Sequence, residues 1–256
     1  MATVAFAARS GNRANRFYAY MALAMLLLVL AGFSGNWLRG FSTFAAPPLI
    51  HFHAIVFMGW IVLFTTQAWL AYKGPPGAHR LLGRLLAGWL VLMVVSGLWV
   101  LAFMAQNGRT PFFFQPQLLL VADSVNMIGS IAVVLAALAL RGKPEWHMRL
   151  QLCATSSLIA PGIGRLLPMP FMIPWSWQIA LVVTAIFPLI GMARDKRVIG
   201  RVHPAWYWGL ASVIVQLALV QLITFSPLGD AIYAWVVAGS PGEAISGLAF
   251  PPPPPM

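Results

Sequence analysis

Seven long apolar segments follow one another along this chain, and they constrain its fold more than any other feature. A helix needs about 20 mostly apolar residues to cross the hydrocarbon of a bilayer. Only 8% of the residues are charged, against about 25% in an ordinary soluble domain, so a water-facing surface cannot be built. The sequence therefore predicts an all-α integral membrane bundle of seven transmembrane helices, over residues 17–38, 49–72, 81–104, 117–140, 146–167, 171–193 and 205–226.

The basic residues fix the predicted orientation. With seven spans and a cytoplasmic N-terminus, 13 of the 16 lysines and arginines lie on the cytoplasmic side, as the positive-inside rule requires. Only Arg39, Arg109 and Arg165 then lie outside. The basic N-terminal tail, residues 1–16, is thus expected in the cytoplasm, and the C-terminus is expected outside. Because the basic residues form no continuous face, we expect no nucleic-acid partner and take the lipid bilayer as the surroundings.

The fifth segment is the most polar, because it contains an arginine, three hydroxyl side chains and a proline. Such a helix is more stable when protein surrounds it than when lipid does, so we expect it inside the bundle. A six-helix alternative without it would put the basic segment RDKRVIGR, residues 194–201, on the outer side. That placement contradicts the positive-inside rule.

Residues 227–256 are expected to form a tail on the outer face, following the transmembrane domain of residues 17–226. The apolar stretch AIYAWVVA in this tail is too short to span a bilayer. It predicts a short helix on the outer surface or against a partner. The final PPPPP run favours an extended polyproline conformation, and the tail is the candidate contact to a larger membrane complex.

One carboxylate is notable because Asp123 is the only acidic residue inside any of the seven segments. A carboxylate in hydrocarbon is costly unless it is paired or protonated. Arg165, near the outer end of the next helix, falls in the same layer and is the expected partner, in the simplest case as a structural ion pair. The same layer receives His51 and His53 from the second helix, and Asn126 lies one turn below Asp123.

The two histidines allow several interpretations. Residues two apart on a regular helix point about 200° apart, so only one ring would face inward. If Pro47 and Pro48 delay the helix start, an extended His-x-His presents both rings. With Asp123, His51 and His53 would then form a divalent-metal set suited to zinc, iron or copper. A proton relay, a small-ligand pocket and simple packing are the other interpretations.

Three helices open with a histidine near the first turn, which suggests a faint internal repeat. The segments are GAHRLLGR with His79, EWHMRLQL with His147, and GRVHPAWYW with His203. All three lie next to inner loops, and His203, beside Pro204, is expected to be a loop residue.

His79 and His147 could be the axial ligands of a b-type haem at the inner edge. A haem requires two imidazoles that face each other at one depth, and the third and fifth helices supply one each. Arg80, Arg84 and Arg149 would lie near the propionates. Histidines that are simply solvated at the interface are the alternative.

The sequence lacks the residues and motifs that several classes of protein require. Retinal attachment needs a lysine inside a helix, but Lys73, Lys143 and Lys196 all lie in inner loops, which excludes a rhodopsin. No Walker loop, GxSxG elbow or HExxH motif is present, which argues against the common nucleotide and hydrolase chemistries.

The stretch PPLIHFHAIVFMGWIVLFTTQAWLAYKGPPGAHRLLGRLLAG, the segment around Asp123, and EWHMRLQLCATSSLIAPGIGRLL resemble a group of bacterial multi-pass membrane proteins without an assigned activity. The resemblance covers about residues 45–205 and implies a multi-pass fold in the bacterial inner membrane. That group is similar in general style to haem-bearing cytochromes of the b561 type, through histidines that open helices before a Leu-Gly pair.

These observations predict a helical bundle that binds a small ligand or cofactor beneath the outer surface. The site residues would be His51, His53, Asp123, Asn126 and Arg165. A non-catalytic accessory subunit of a larger membrane complex and a b-type haem electron-transfer protein are the alternatives.

Overall fold

All regular structure in the described part of the chain is helical. The computed structural model describes the main chain of residues 2–253 and the side chains of residues 15–253. The α-helices are α1 (Ala2–Leu38), α2 (Pro48–Lys73), α3 (Pro76–Gln106), α4 (Pro116–Ala139), α5 (Pro144–Leu158), α6 (Ala160–Gly164), α7 (Ser176–Thr184), α8 (Ile186–Ile199), α9 (Pro204–Thr224) and α10 (Pro227–Val237), with 3₁₀ turns at Met169–Met172 and Pro241–Ala244.

In the described part of the chain, six helical stretches are long and apolar enough to cross a membrane, which is the architecture of a multi-pass helical membrane protein. α7 and α8 count as one stretch, since only Ala185 separates them. The six stretches are Asn15–Leu38, Pro48–Lys73, Pro76–Gln106, Pro116–Ala139, Ser176–Ile199 and Pro204–Thr224. Helix α1 begins at Ala2, so the predicted basic tail continues the first helix. The side chains of Arg9 and Arg13 in that tail lie outside the described residues.

The fifth predicted span is a broken helix, α5 followed by α6. Pro161 has no N–H to donate to the carbonyl of Ser157, which a regular helix would require. That carbonyl instead accepts a hydrogen bond of 3.2 Å from Asn126 Nδ2 on α4. Nearly every residue from Arg149 to Leu158 is buried, so this polar helix is surrounded by protein, as its composition predicts.

Contacts at both ends place α5–α6 antiparallel to α4. At the start of α5, His147 Nδ1 donates to the carbonyl of Ala137 in the last turn of α4 (2.8 Å). In α6, Gly162 lies directly against Gly32 near the end of α1, so closely that a Cβ on Gly32 would collide with the Gly162 carbonyl. The α5–α6 pair therefore extends from the C-terminal end of α4 to the C-terminal part of α1.

Helix α8 is longer than predicted, and this overturns one expectation. It continues to Ile199 and ends at Gly200, which adopts a left-handed conformation (φ 75°). Lys196 and Arg197 occupy its last turn, where cations interact favourably with the helix dipole. Asp195 is therefore helical and inside the stretch Ser176–Ile199, and the prediction that Asp123 is the only acidic residue in a span is wrong.

The C-terminal tail packs on its own chain. Helix α10 lies against α3, α4 and α9. Beyond it, the carbonyl of Gly247 accepts from the main-chain N–H of Gln117 (2.8 Å), and the carbonyl of Leu248 accepts from Gln115 Nε2 (2.6 Å). The predicted short helix is thus present, and the described tail is held by Gln115 just before α4 and by Gln117 in its first turn. Residues 254–256 lie outside the described residues.

Candidate functional site

Asp123 lies on the second turn of α4 and is bonded through one oxygen only. Trp177 Nε1, at the start of α7, donates to Asp123 Oδ1 over 2.7 Å. Asp123 Oδ2 has no partner among the described residues and is not fully buried. The aspartate therefore keeps one free acceptor.

Arg165 does not form the ion pair that the sequence suggested. Its Nη1 donates to the Pro161 carbonyl (2.7 Å), and its guanidinium lies 4.0 Å from the ring centroid of Phe33. Among the described side chains, ion pairs within 4 Å form only at Asp195. The carbonyl of Pro161 is one turn away and competes successfully for the guanidinium. Even so, Arg165 lies within electrostatic reach of Asp123, and its Nε is buried without a partner.

The two histidines of α2 point to different places. Because α2 begins at Pro48, both lie on regular helix and diverge. His51 Nε2 faces the carbonyl of Phe44 in the preceding loop (3.1 Å). His53 stacks on Phe57, with 4.4 Å between ring centroids, and lies beside the main chain of Ser96 on α3. Its Nδ1 is buried without a partner, and it is within electrostatic reach of Arg165.

The metal hypothesis loses its geometric basis. An extended His-x-His was its condition, and the segment is helical instead. Within residues 15–253, no group of three or more His, Cys, Asp and Glu side chains is placed to hold a metal ion. His51, His53 and Asp123 are therefore not brought together as ligands.

Asn126 has a role within the fold. Its Nδ2 bonds the carbonyl that Pro161 leaves free on α5, and its Oδ1 accepts from Ser130 Oγ (3.3 Å). Both ends of the amide are thus used, one across to α5 and the other within α4. Among the five predicted site residues, those that keep unused polar atoms are His53, Asp123 and Arg165, which we call the outer cluster.

The inner histidines occupy equivalent positions in two hairpins. His79 and His147 are each the fourth residue of a helix that begins with proline, α3 and α5. Each donates Nδ1–H to a carbonyl of the preceding helix, Gln67 O (3.2 Å) and Ala137 O (2.8 Å). The repeat does not extend to His203, which is the N-cap of α9 and accepts the N–H of Ala205 through its own Nδ1 (3.2 Å).

A haem fits this inner layer only in part. With Nδ1 donated to a carbonyl, Nε2 of both histidines is left for iron, which is the usual orientation of a metal-bound imidazole. However, Arg149, expected near a propionate, is committed elsewhere: its Nε and Nη2 bind both oxygens of Asp195. The side chains of Arg80 and Arg84 are exposed. The observed bonds instead hold each histidine to the preceding helix of its own hairpin.

Sequence reasoning missed a fully bonded polar group formed by Arg149, Asp195 and Trp206, which we call the inner network. Arg149 Nε and Nη2 lie 2.8 and 3.0 Å from Asp195 Oδ2 and Oδ1, and Trp206 Nε1 donates to Oδ2 over 2.7 Å. Arg149 Nη1 also donates to the Glu145 carbonyl (2.7 Å). The Asp195 side chain is 0% exposed. The sequence did contain a signal for this group, because Arg149 lies inside a predicted span and a charge there needs an acidic partner.

Comparisons with protein-family models, curated proteins and solved structures found no match to this chain.

Proposed function

We propose that this chain is a seven-span protein of the bacterial inner membrane that binds a small polar ligand at the outer cluster. The N-terminus is cytoplasmic and the C-terminal tail is outside. The observation that carries the ligand proposal is the pattern of unused bonds at His53, Asp123 and Arg165.

Two observations support seven crossings. Helices α5 and α6 together run from the inner end of α4 to the outer end of α1, through contacts at His147 and Gly162. The positive-inside rule favours the same count, because it keeps 13 of the 16 basic residues on one side.

The ligand proposal rests on the cost of unused polar atoms. Buried polar groups in proteins are almost always hydrogen-bonded, and each exception needs an explanation. His53 Nδ1 and Arg165 Nε are both buried without a partner, and Asp123 Oδ2 is free. Asp123 and Arg165 carry opposite charges within electrostatic reach but bond elsewhere. A bound molecule that bridges them would give partners to Asp123 Oδ2 and Arg165 Nε.

The charges indicate the class of ligand. Arg165 and ionised Asp123 sum to zero, and His53 is neutral or positive according to its protonation. A ligand that presents an acceptor to Arg165 and a donor to Asp123 is therefore a neutral or zwitterionic molecule of a few heavy atoms. Two cavities of the described chain, at the tail and on α8, do not include the outer cluster, so we expect the Arg165 side chain to move when the ligand enters.

Thermal unfolding in nanodiscs tests the ligand proposal against a panel of small zwitterionic and neutral polar compounds. A compound at 100 times its Kd stabilises a protein by about 2.7 kcal/mol. We expect at least one compound to stabilise the wild type and Glu145→Gln, a control at an exposed acid, but neither Asp123→Asn nor Arg165→Gln. Equal stabilisation of all four proteins would remove the outer cluster as the site.

Cysteine labelling tests the seven crossings separately. The only native cysteine, Cys153, is 3% exposed, so the background is low. Gly142→Cys and Phe171→Cys flank α5–α6 at exposed positions. In spheroplasts an impermeant maleimide should label only the second. Labelling of both or of neither would favour the six-span alternative.

A further inference from the structure

A groove on the inner half of α8 has the form of a lipid site. It is lined by Ile190, Ala193, Arg194, Arg197 and Val198 and has a volume of about 360 Å³. Its two arginines are three residues apart and therefore lie on one side of the helix. The groove is distinct from the outer cluster and does not depend on a ligand there.

Apolar strips continue from both arginines toward the middle of the bilayer. Residues four apart lie one above the other on a helix, so Ile186 and Ile190 lie in line with Arg194. Leu189 and Ala193 lie in line with Arg197. Ile186, Leu189 and Ile190 are 53, 51 and 44% exposed. Each strip thus has a cation at the membrane surface and uncovered apolar side chains below it.

The positive charge of the groove is not neutralised within the protein. Asp195 is the nearest acid, but Arg149 holds both of its oxygens and Trp206 also binds it. Arg194 reaches Asp195 Oδ1 only at 3.4 Å. One carboxylate therefore faces Arg149 and Arg194, while Arg197 makes no ion pair among the described side chains. The groove carries an excess of positive charge.

Arg194 is held in position for a ligand. Its guanidinium lies 4.8 Å from the ring centroid of Phe17 on α1, which restrains the side chain beside the groove. A basic pocket at the cytoplasmic membrane surface is the ordinary form of an anionic-lipid headgroup site. The positive charge of the two arginines is complementary to a phosphate, and the two apolar strips are complementary to acyl chains.

We propose that this groove binds one anionic phospholipid, with its phosphate between Arg194 and Arg197. One acyl chain lies along the strip formed by Ile186 and Ile190, and the other lies along the strip that contains Leu189. A free phosphate satisfies only the arginines and leaves the apolar strips uncovered, so the lipid is the ligand that matches both parts.

Native mass spectrometry of the detergent-solubilised protein tests the site with phosphatidylglycerol, using phosphatidylcholine for comparison. We expect tighter binding of phosphatidylglycerol, a loss of about fivefold in Arg197→Gln, and a loss of about 30-fold in Arg194→Gln/Arg197→Gln. The single variant matters because Arg194 also contacts Phe17 and Asp195, so its replacement can disturb folding. Inorganic phosphate should not displace the lipid.

Arg80→Gln/Arg84→Gln is the matched control, because it removes two exposed arginines from the inner end of α3. It should change phosphatidylglycerol affinity by less than about twofold. Equal losses in this control, equal affinity for both lipids, or displacement by inorganic phosphate would each overturn the proposal.

Discussion

The inner network, and the outer cluster together with Trp177, each place an aspartate, an arginine and a tryptophan N–H within the bundle, but they use their hydrogen bonds differently. Asp195 accepts from Arg149 and Trp206 with both of its oxygens. Asp123 accepts from Trp177 with one oxygen, and Arg165 binds a carbonyl of its own segment. The first group is complete as folded, whereas the second leaves polar atoms free.

This difference separates a structural role from a binding role. A buried ion pair with all its bonds made holds α5, α8 and α9 in one arrangement, and removal of one member strands a charge. A cluster with unused atoms is costly to the fold unless something else completes it. The comparison therefore predicts large stability losses at the inner network and changes in ligand response at the outer cluster.

The largest effect is expected when the inner ion pair is broken. Asp195→Asn leaves the buried Arg149 without its countercharge, which costs about 3–5 kcal/mol. Asp123→Asn removes no ion pair and keeps an oxygen for Trp177, so its cost should be below about 1 kcal/mol. Tryptophan-detected thermal unfolding at one scan rate in one detergent compares the two variants.

Glu145→Gln is the control, because this exposed acid contributes only its carbonyl to Arg149. Arg149→Met/Asp195→Leu should recover much of the loss, since apolar replacements leave no stranded charge. If Asp195→Asn and Asp123→Asn had equal costs, the distinction between the two groups would be lost.

A steric change at the same network should have the next largest effect. A Cβ at Gly191 on α8 would collide with the indole of Trp206, which donates to Asp195. We expect Gly191→Ala to destabilise the protein by about 1–3 kcal/mol, as overpacking usually does. Gly88→Ala on α3, where a Cβ meets nothing within 4 Å, should be neutral or stabilising in the same unfolding assay. A neutral Gly191→Ala would mean that Trp206 is not tightly held.

The two hairpin histidines should each contribute less. His79→Ala and His147→Ala remove one hydrogen bond to a carbonyl, worth about 1 kcal/mol each. Because these bonds join the two helices of each hairpin, we expect no Soret band in the absorption spectrum of the purified wild-type protein. A Soret band that disappears in both variants would instead establish the haem alternative.

The smallest effect is a pH dependence at the start of α9. Burial, and then the positive charge of Arg149, lower the pKa of His203 from its ordinary value of 6.5, which keeps the ring neutral as an acceptor for Ala205 N–H. The unfolded chain takes up the proton first, so this contribution to stability is present above pH 6.5 and decreases as the pH falls below it. His203→Asn, a non-titrating N-cap, should flatten this part of the profile of apparent Tm against pH; an unchanged profile would assign it to another group.

Much of the bundle follows from the sequence because hydrocarbon imposes a strong rule on every crossing. Apolar length identified the six long stretches to within a few residues at most ends, and the polarity of the fifth segment predicted its burial. The end of α8 could not be recognised in this way. Its RDKR segment has the composition of an inner loop. The helix nevertheless continues through this segment to Ile199 and ends at Gly200, and Asp195 is buried inside the bundle.

The site was less predictable because side-chain pairing depends on competition between near neighbours. The sequence predicted one layer for His53, Asp123 and Arg165 from their depth alone. Sequence spacing did not reveal that Pro161 supplies a free carbonyl to Asn126 and, through its own carbonyl, an acceptor to Arg165. It also did not reveal that Arg149 would find Asp195, 46 residues away.

The tail that folds over the outer loops has a consequence for biosynthesis. Gln106, Gln115 and Gln117 are translated at least 130 residues before their partners Val236, Leu248 and Gly247. These bonds can therefore form only after the helices up to α9 have been made, and a chain that stalls before Val236 would contain those helices but leave these amides without partners.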